Sequence, residues 1–282
     1  MTVPEAVFER IDGFGPFRTL LEYRDQHGRL IRWESRRSRK RRKGPRPPHP
    51  WWEPGAAGWW MGVLFAVGSL CFALGSIPAY AKAVGAGPDA ATYFVGSLFF
   101  TTAAFLQYRE AVESIHPLEP PDATRWTLLR VRWRRIDWLA TAIQLLGTLE
   151  FNISTAHALQ SDLTASQANQ MVWRPDVIGS ICFLVSSGLA WFEVCHRWIA
   201  WRPRDIGWWI TLANLVGSIA FGVSAIASFT VPSTEQLVSI RLTNGGTLVG
   251  ALCFFAGAVL LLAERNAGPQ PPALPVAAAA TS

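Results

Sequence analysis

The sequence predicts an all-α membrane protein of six transmembrane helices, built as three parallel two-helix hairpin repeats with both termini in the cytoplasm. Three observations carry this. Six apolar runs of about 20 residues punctuate the chain, each long enough to span a ~30 Å hydrocarbon core at about 1.5 Å per residue. Charged residues make up only 16% of the 282, against about a quarter in an ordinary soluble domain, and they cluster between the runs. Lys and Arg fall almost wholly on one side of the alternating connections. The net charge of +6 therefore points to a membrane surface rather than to nucleic acid, for which no stacking platform accompanies the charge.

The expected spans are 59–80, 91–108, 137–159, 176–198, 207–229 and 243–264. Helix breakers mark the connections: Gly85, Gly87 and Pro88 after the first, Pro117, Pro120 and Pro121 after the second, Pro203 after the fourth and Pro232 after the fifth. Three regions follow. Residues 1–50 form a basic segment, 51–265 the membrane domain, and 266–282 an Ala/Pro-rich tail expected to be disordered. No apolar stretch near Met1 reads as a signal peptide, so the first span is expected to drive insertion. The segment before the first span holds 13 Lys and Arg, and that side of the membrane holds 23 in all. The other side holds only Lys82, Arg174 and Arg241, which places the basic side inside. Trp51, Trp52, Trp59, Trp60, Trp133, Trp138, Trp198, Trp201, Trp208 and Trp209 all fall near the basic ends of spans, where an indole keeps its ring dry and its N–H wet.

A repeat runs through the spans. Each carries Gly, a small residue, then Phe four positions after the Gly, then two small residues: Gly68–Phe72, Gly96–Phe100, Gly147–Phe151, Gly179–Phe183, Gly217–Phe221 and Gly250–Phe254. These offsets share one helical face, and small residues on a face let helix backbones approach closely in lipid. Odd spans add Trp59, Trp138 and Trp208 nine residues before the Gly, and even spans add Glu110, Glu193 and Glu264 fourteen after it. The unit is thus a hairpin used three times, about an axis along the membrane normal.

The runs "GVLFAVGSLCFALGS" and "YFVGSLFF" resemble the YrhK-like family of small bacterial membrane proteins, whose domain is a two-helix unit. "FNIST", "WRPDVIGSICFLVSS" and "WWITLANLVGSIAFG" are similar to longer multi-span relatives. The resemblance covers roughly 51–264. It implies a helical membrane fold and supplies no catalytic residues.

Two sets of polar residues are candidates for function. On the third span, Glu150, Ser154 and His157 share a stripe that could bind a cation or small solute or relay a proton, since an acidic residue at mid-membrane costs about 2.5–3.5 kcal/mol unless protonated, paired or wet. Gln144 and Asn214, at matching repeat positions, read as interhelical hydrogen-bonding groups beside it. Glu110, Glu193 and Glu264 would form an acidic ring at the cytoplasmic end, offset by Arg109, Arg135, Arg197 or Arg265. Glu193 and His196 have metal-binding E-x-x-H spacing, but one copy makes no site.

In the basic segment, 18–24 and 29–35 read as a hairpin. Seven of the eight residues Arg36–Lys43 are basic and are expected at anionic lipid headgroups. Residues 45–50 read as a stiff link. Cys71, Cys182, Cys195 and Cys253 form no CxxC pair and read as small buried side chains. No nucleophile–base pair, phosphate loop or metal cluster stands out, so no enzyme activity, cofactor or metal is expected. The reading that follows is passage or binding of a small solute, with a scaffold acting through the basic arm as the alternative. The expected partner is the lipid bilayer; a homo-oligomer is compatible with it.

Overall fold

The computed structural model describes residues 7–24, 28–40, 51–114, 116–117, 128 and 130–264. The Ala/Pro-rich tail, the 45–50 link, basic residues 41–43 and Arg265 lie outside these residues. The protein is mostly helical, and among the described residues five helices are long and apolar enough to cross a membrane.

From Ala57 onward, the helical part of the chain consists of α2 (Ala57–Gly75), a short α3 (Pro78–Val84), α4 (Ala86–Glu113), α5 (Ile136–His157), α6 (Ala165–Ala168) running through a π-helical turn (Asn169–Trp173) into α7 (Arg174–Cys195), α8 (Ile206–Ala227) and α9 (Ile240–Ala263). Each long helix packs against the next in the chain, and α9 packs against α2. Among the described residues, six long helical segments thus close a ring. Helix α5 is as long as α8 but is not among the five apolar ones, because Asp137, Gln144, Glu150 and Asn152 lower its hydropathy. The first helix ends earlier than expected. Ile77 leaves the helical conformation ahead of Pro78, and Gly85, at φ 87°, makes the turn into α4.

Close approach at the glycines holds the ring together. A Cβ on Gly68 would come within 2.9 Å of the Gly96 carbonyl oxygen, one on Gly179 within 3.0 Å of that of Gly147, and one on Gly250 within 3.0 Å of that of Gly217. Only glycine permits these backbones to touch. The six phenylalanines meet on the ring's axis in two layers. Phe72, Phe151 and Phe221 form one triangle, with ring centroids 6.0–6.3 Å apart. Phe100, Phe183 and Phe254 form the other, at 5.7–6.5 Å. Each ring also contacts its hairpin partner in the other layer, at 5.5, 5.0 and 5.5 Å. The centre is therefore a solid aromatic prism, packed at edge-to-face and offset distances.

Two residues past each motif glycine stand Leu70, Leu98, Leu149, Ile181, Ile219 and Leu252, all 44–55% exposed. A continuous outward belt of large aliphatic side chains is out of place against water and fits a lipid surface.

The arm before α2 is more structured than the sequence suggested. β2 (Phe17–Arg24) and β3 (Leu30–Glu34) pair antiparallel, as the two mixed runs imply, and β1 (Val7–Phe14) adds a third strand on the other edge of β2. Leu21, Tyr23 and Trp33 form its small core. The one-turn helix α1 (Ser35–Arg39) follows. Phe14 stacks on Phe192 and meets Trp198 edge-on, and Trp33 meets His116 edge-on at 4.7 Å. These contacts seat the sheet on one end of the ring, here called the arm end.

Candidate functional sites at the two ends of the ring

At the arm end, α4, α7 and α9 terminate with Glu110, Glu193 and Glu264 turned toward α1. Arg36 grips Glu264 with two hydrogen bonds, Nε to Oε1 at 2.6 Å and Nη2 to Oε2 at 2.8 Å. Arg39 grips Glu193 in the same forked way, at 2.8 and 3.0 Å. Lys40 donates to Glu110 at 2.7 Å. Ser35 adds a 2.6 Å hydrogen bond to Glu193, and Asp137 lies 3.4 Å from Arg39. The forked geometry is the strong form of a charge-assisted pair.

Two of the arginines expected to offset this ring bind other groups. Arg109 pairs with Glu113 along α4 at 3.2 Å, and Arg135 binds Asp137 at 2.6 Å and the Ala111 carbonyl at 2.8 Å. The cations come instead from the arm. Consequently Arg36, Arg39 and Lys40, expected at lipid headgroups, have side chains only 2–11% exposed, while Arg37 is 58% exposed. The E-x-x-H pair splits: Glu193 faces α1, and His196 shares a 2.8 Å hydrogen bond with Thr19 of the sheet.

Burial by itself would raise the carboxyl of Glu264, but Arg36 outweighs it, with Lys40 and Arg39 adding, so the group sits below the usual carboxylate range. Half-buried His116 is pushed down to about 4, first by desolvation and then by Arg135.

Tryptophan shapes the arm-end loops. Trp59 donates to the Trp51 carbonyl and Trp60 to that of Pro54; Trp208 and Trp209 do the same to Ala200 and Pro203, at the same spacings of eight and six residues. Trp52 meets Trp59, and Trp201 meets Trp208, both edge-on at 5.1 Å. The signal was legible as W-x-P followed by WW in both loops; the loop before α5 lacks the proline.

At the opposite end a cavity of about 420 Å³ reaches down to Phe72, Phe151 and Phe221. Its wall carries Asp89, Asp176, Ser154, Thr155, Ser224 and Thr243 among others. The π-helical turn positions part of it. Ser154 donates to the Val172 carbonyl at 2.9 Å, Trp173 to the Ala225 carbonyl at 2.9 Å, and Asn169 exchanges two hydrogen bonds with Thr230. A π turn of this kind is frequent at functional sites.

The expected stripe on α5 is divided here. Ser154 lines the cavity, whereas Glu150 and His157 do not; Glu150 is half-buried, and the His157 ring faces the Gln160 amide at 3.4 Å. Gln144 is half-buried too, and the Asn214 side chain packs on Gly257, where an added Cβ would meet its oxygen at 2.6 Å. The two aspartates on the wall escaped sequence reasoning because an acidic residue in the first turn of a helix is ordinary pairing with the helix dipole. Cys195 is buried and the other three cysteines half-buried, all free. No group of His, Cys, Asp and Glu able to hold a metal occurs among the described residues.

Comparison with family models, curated proteins and solved structures finds no match to this chain.

Proposed function

We propose that this is a six-span membrane protein, of YrhK-like type, that admits a small solute at its non-cytoplasmic end and holds its cytoplasmic end shut with its own basic arm. The observation that carries this reading is the contrast between the two ends. One end has a cavity that carries hydroxyl and acidic side chains on its wall and reaches the aromatic prism. The other is sealed by buried ion pairs whose cations belong to a segment outside the ring.

Counting α5 as the sixth span is supported by its place between α4 and α7. Its outward Leu146, Leu149 and Ile153 are exposed as their counterparts are. An even number of spans then agrees with the arm touching the end of α9, and the excess of Lys and Arg puts that side in the cytoplasm. The glycine contacts and phenylalanine triangles support three hairpins related about the ring's axis. In this reading the structure is the closed state, with the prism as the barrier and release of α1 as the step that precedes passage.

The test is thiol accessibility in membranes lacking the four native cysteines. Single cysteines at positions 154 and 244 should react with a water-soluble reagent applied from the non-cytoplasmic side. Flux of small solutes into proteoliposomes should rise when Glu193→Gln and Glu264→Gln are combined. If a cysteine at position 82 reacts while 154 and 244 stay silent, the solute reading fails. A second reading, a scaffold acting through its arm, is favoured by the solidity of the prism; labelling at 154 without flux in any arm variant would select it.

A further inference from the structure

The chemistry of the cavity wall narrows what can enter it. Each hydroxyl has one proton to give, and most of those on this wall are already committed. Ser154 donates to the Val172 carbonyl, Ser224 to that of Thr243, Ser228 to that of Ala225, and Thr243 to that of Ser239, at 2.7–2.9 Å. With the Ser224 proton so placed, the 2.8 Å contact between Ser224 and Thr247 takes the Thr247 proton as well. What these groups still offer the cavity is lone pairs.

Two aspartates join them. Asp176 lies 3.4 Å from the Ser228 oxygen, whose proton is already given to Ala225, and Asp89 keeps one buried oxygen with no hydrogen-bond partner. Among the described residues no Lys, Arg or His is on the wall; its other polar groups are the Tyr93 hydroxyl and the Asn244 amide, neither charged. The floor is three phenylalanine rings, a surface that accepts a cation or an alkyl group but gives an anion nothing. The volume suits a small organic molecule better than a bare ion.

We infer that the cavity recognises a small organic ammonium ion, its N–H groups donated to Asp89, Asp176 and the wall hydroxyls and its alkyl part directed to Phe72, Phe151 and Phe221. This rests on the proposed function, because it assigns the solute class of the same cavity. An anion would meet two acidic side chains, with the uncharged Tyr93 hydroxyl and Asn244 amide as donors, and a neutral alcohol would give neither acidic group a charged donor.

The experiment uses the full chain in nanodiscs, with Asn244→Cys in the background lacking native cysteines. The rate of labelling by uncharged N-ethylmaleimide is followed against rising butylammonium, tetramethylammonium, acetate or butanol. Butylammonium should protect the thiol. Tetramethylammonium, which has charge but no N–H, should protect more weakly, and acetate and butanol not at all. Asp176→Asn should weaken the butylammonium effect by about tenfold or more, the worth of one charge-assisted hydrogen bond, while labelling without ligand stays at its original rate. Equal protection by butanol or acetate, or full protection surviving both Asp176→Asn and Asp89→Asn, overturns the ammonium assignment and leaves the cavity reading standing. A thiol at position 244 that never labels, beside a position-82 control that does, overturns both.

Discussion

The docking of the arm can be tested most sharply at Glu193. Its carboxylate is 1% exposed and faces the Arg39 guanidinium, itself 2% exposed, through two hydrogen bonds. Glu193→Gln keeps the size and one acceptor for Ser35 but removes the charge. Losing one partner of a buried pair costs about 3–5 kcal/mol, because the other charge stays buried and uncompensated. Here Asp137 at 3.4 Å and Glu110 at 3.9 Å still face Arg39, which puts the cost at the low end, about 3 kcal/mol. If that cost falls on docking, the ratio of docked to released arm drops about 100-fold. The assay is limited trypsin digestion in nanodiscs, scored at Arg39 and Lys40, which are buried only while α1 is seated. When opening is fast relative to cleavage, the cleavage rate follows the released population. Arg37→Gln is the control: this side chain is 58% exposed and pairs with Glu34 at 3.8 Å, so its loss is worth well under about 1 kcal/mol. If Glu193→Gln is cut no faster than Arg37→Gln, with the membrane domain intact in both, the forked pair does not hold the arm and the seal assigned to it is wrong.

The helix contacts make a paired test with opposite signs. Gly68→Ala drives a methyl to within 2.9 Å of the Gly96 carbonyl oxygen and Phe100 and should lower thermal stability in detergent by about 1–3 kcal/mol. Gly222→Ala, where nothing lies within 4 Å, should leave stability unchanged or raise it by up to about 1 kcal/mol; equal losses at both would refute backbone contact as the reason for the glycine. Phe151→Ala removes a ring that touches Phe72, Phe183 and Phe221, and scanning fluorimetry should show a loss of about 3–5 kcal/mol. For His116 the sign runs as for any base depressed in the folded state. Its contribution is fully present above the unfolded value of about 6.5 and is lost as pH falls toward about 4, so seating of the sheet should weaken across that window. A His116→Gln variant should lose that pH dependence; an unchanged pH profile would show that another group carries it.

Much of the architecture is written in short-range pattern. The helices α5, α7, α8 and α9 begin and end within about three residues of the expected spans, while α4 overruns its span by about five at each end, because apolar length and helix breakers are properties of contiguous sequence. The glycines and phenylalanines aligned by register are the ones that meet across each hairpin and around the axis. The paired strands β2 and β3 were visible as two mixed runs, whereas β1 was not: a run such as VFERIDGF has no strict alternation until a partner strand supplies its hydrogen bonds.

The sequence by itself determined which segments are apolar enough to leave water, which helix face carries small residues, and on which side the basic residues collect. All three depend on spacing of a few residues along one element. Only the tertiary structure decided who pairs with whom. Arg36 finds Glu264 across 228 positions, Arg39 finds Glu193 across 154 and Lys40 finds Glu110 across 70. A charge in a low-dielectric site takes whichever opposite charge the fold brings within a few ångströms, and separation along the chain has no part in it. The cavity is of the same kind. Asp89 and Asp176 are ordinary first-turn acids on their own helices and become the wall of one site only because the ring closes around the phenylalanine prism.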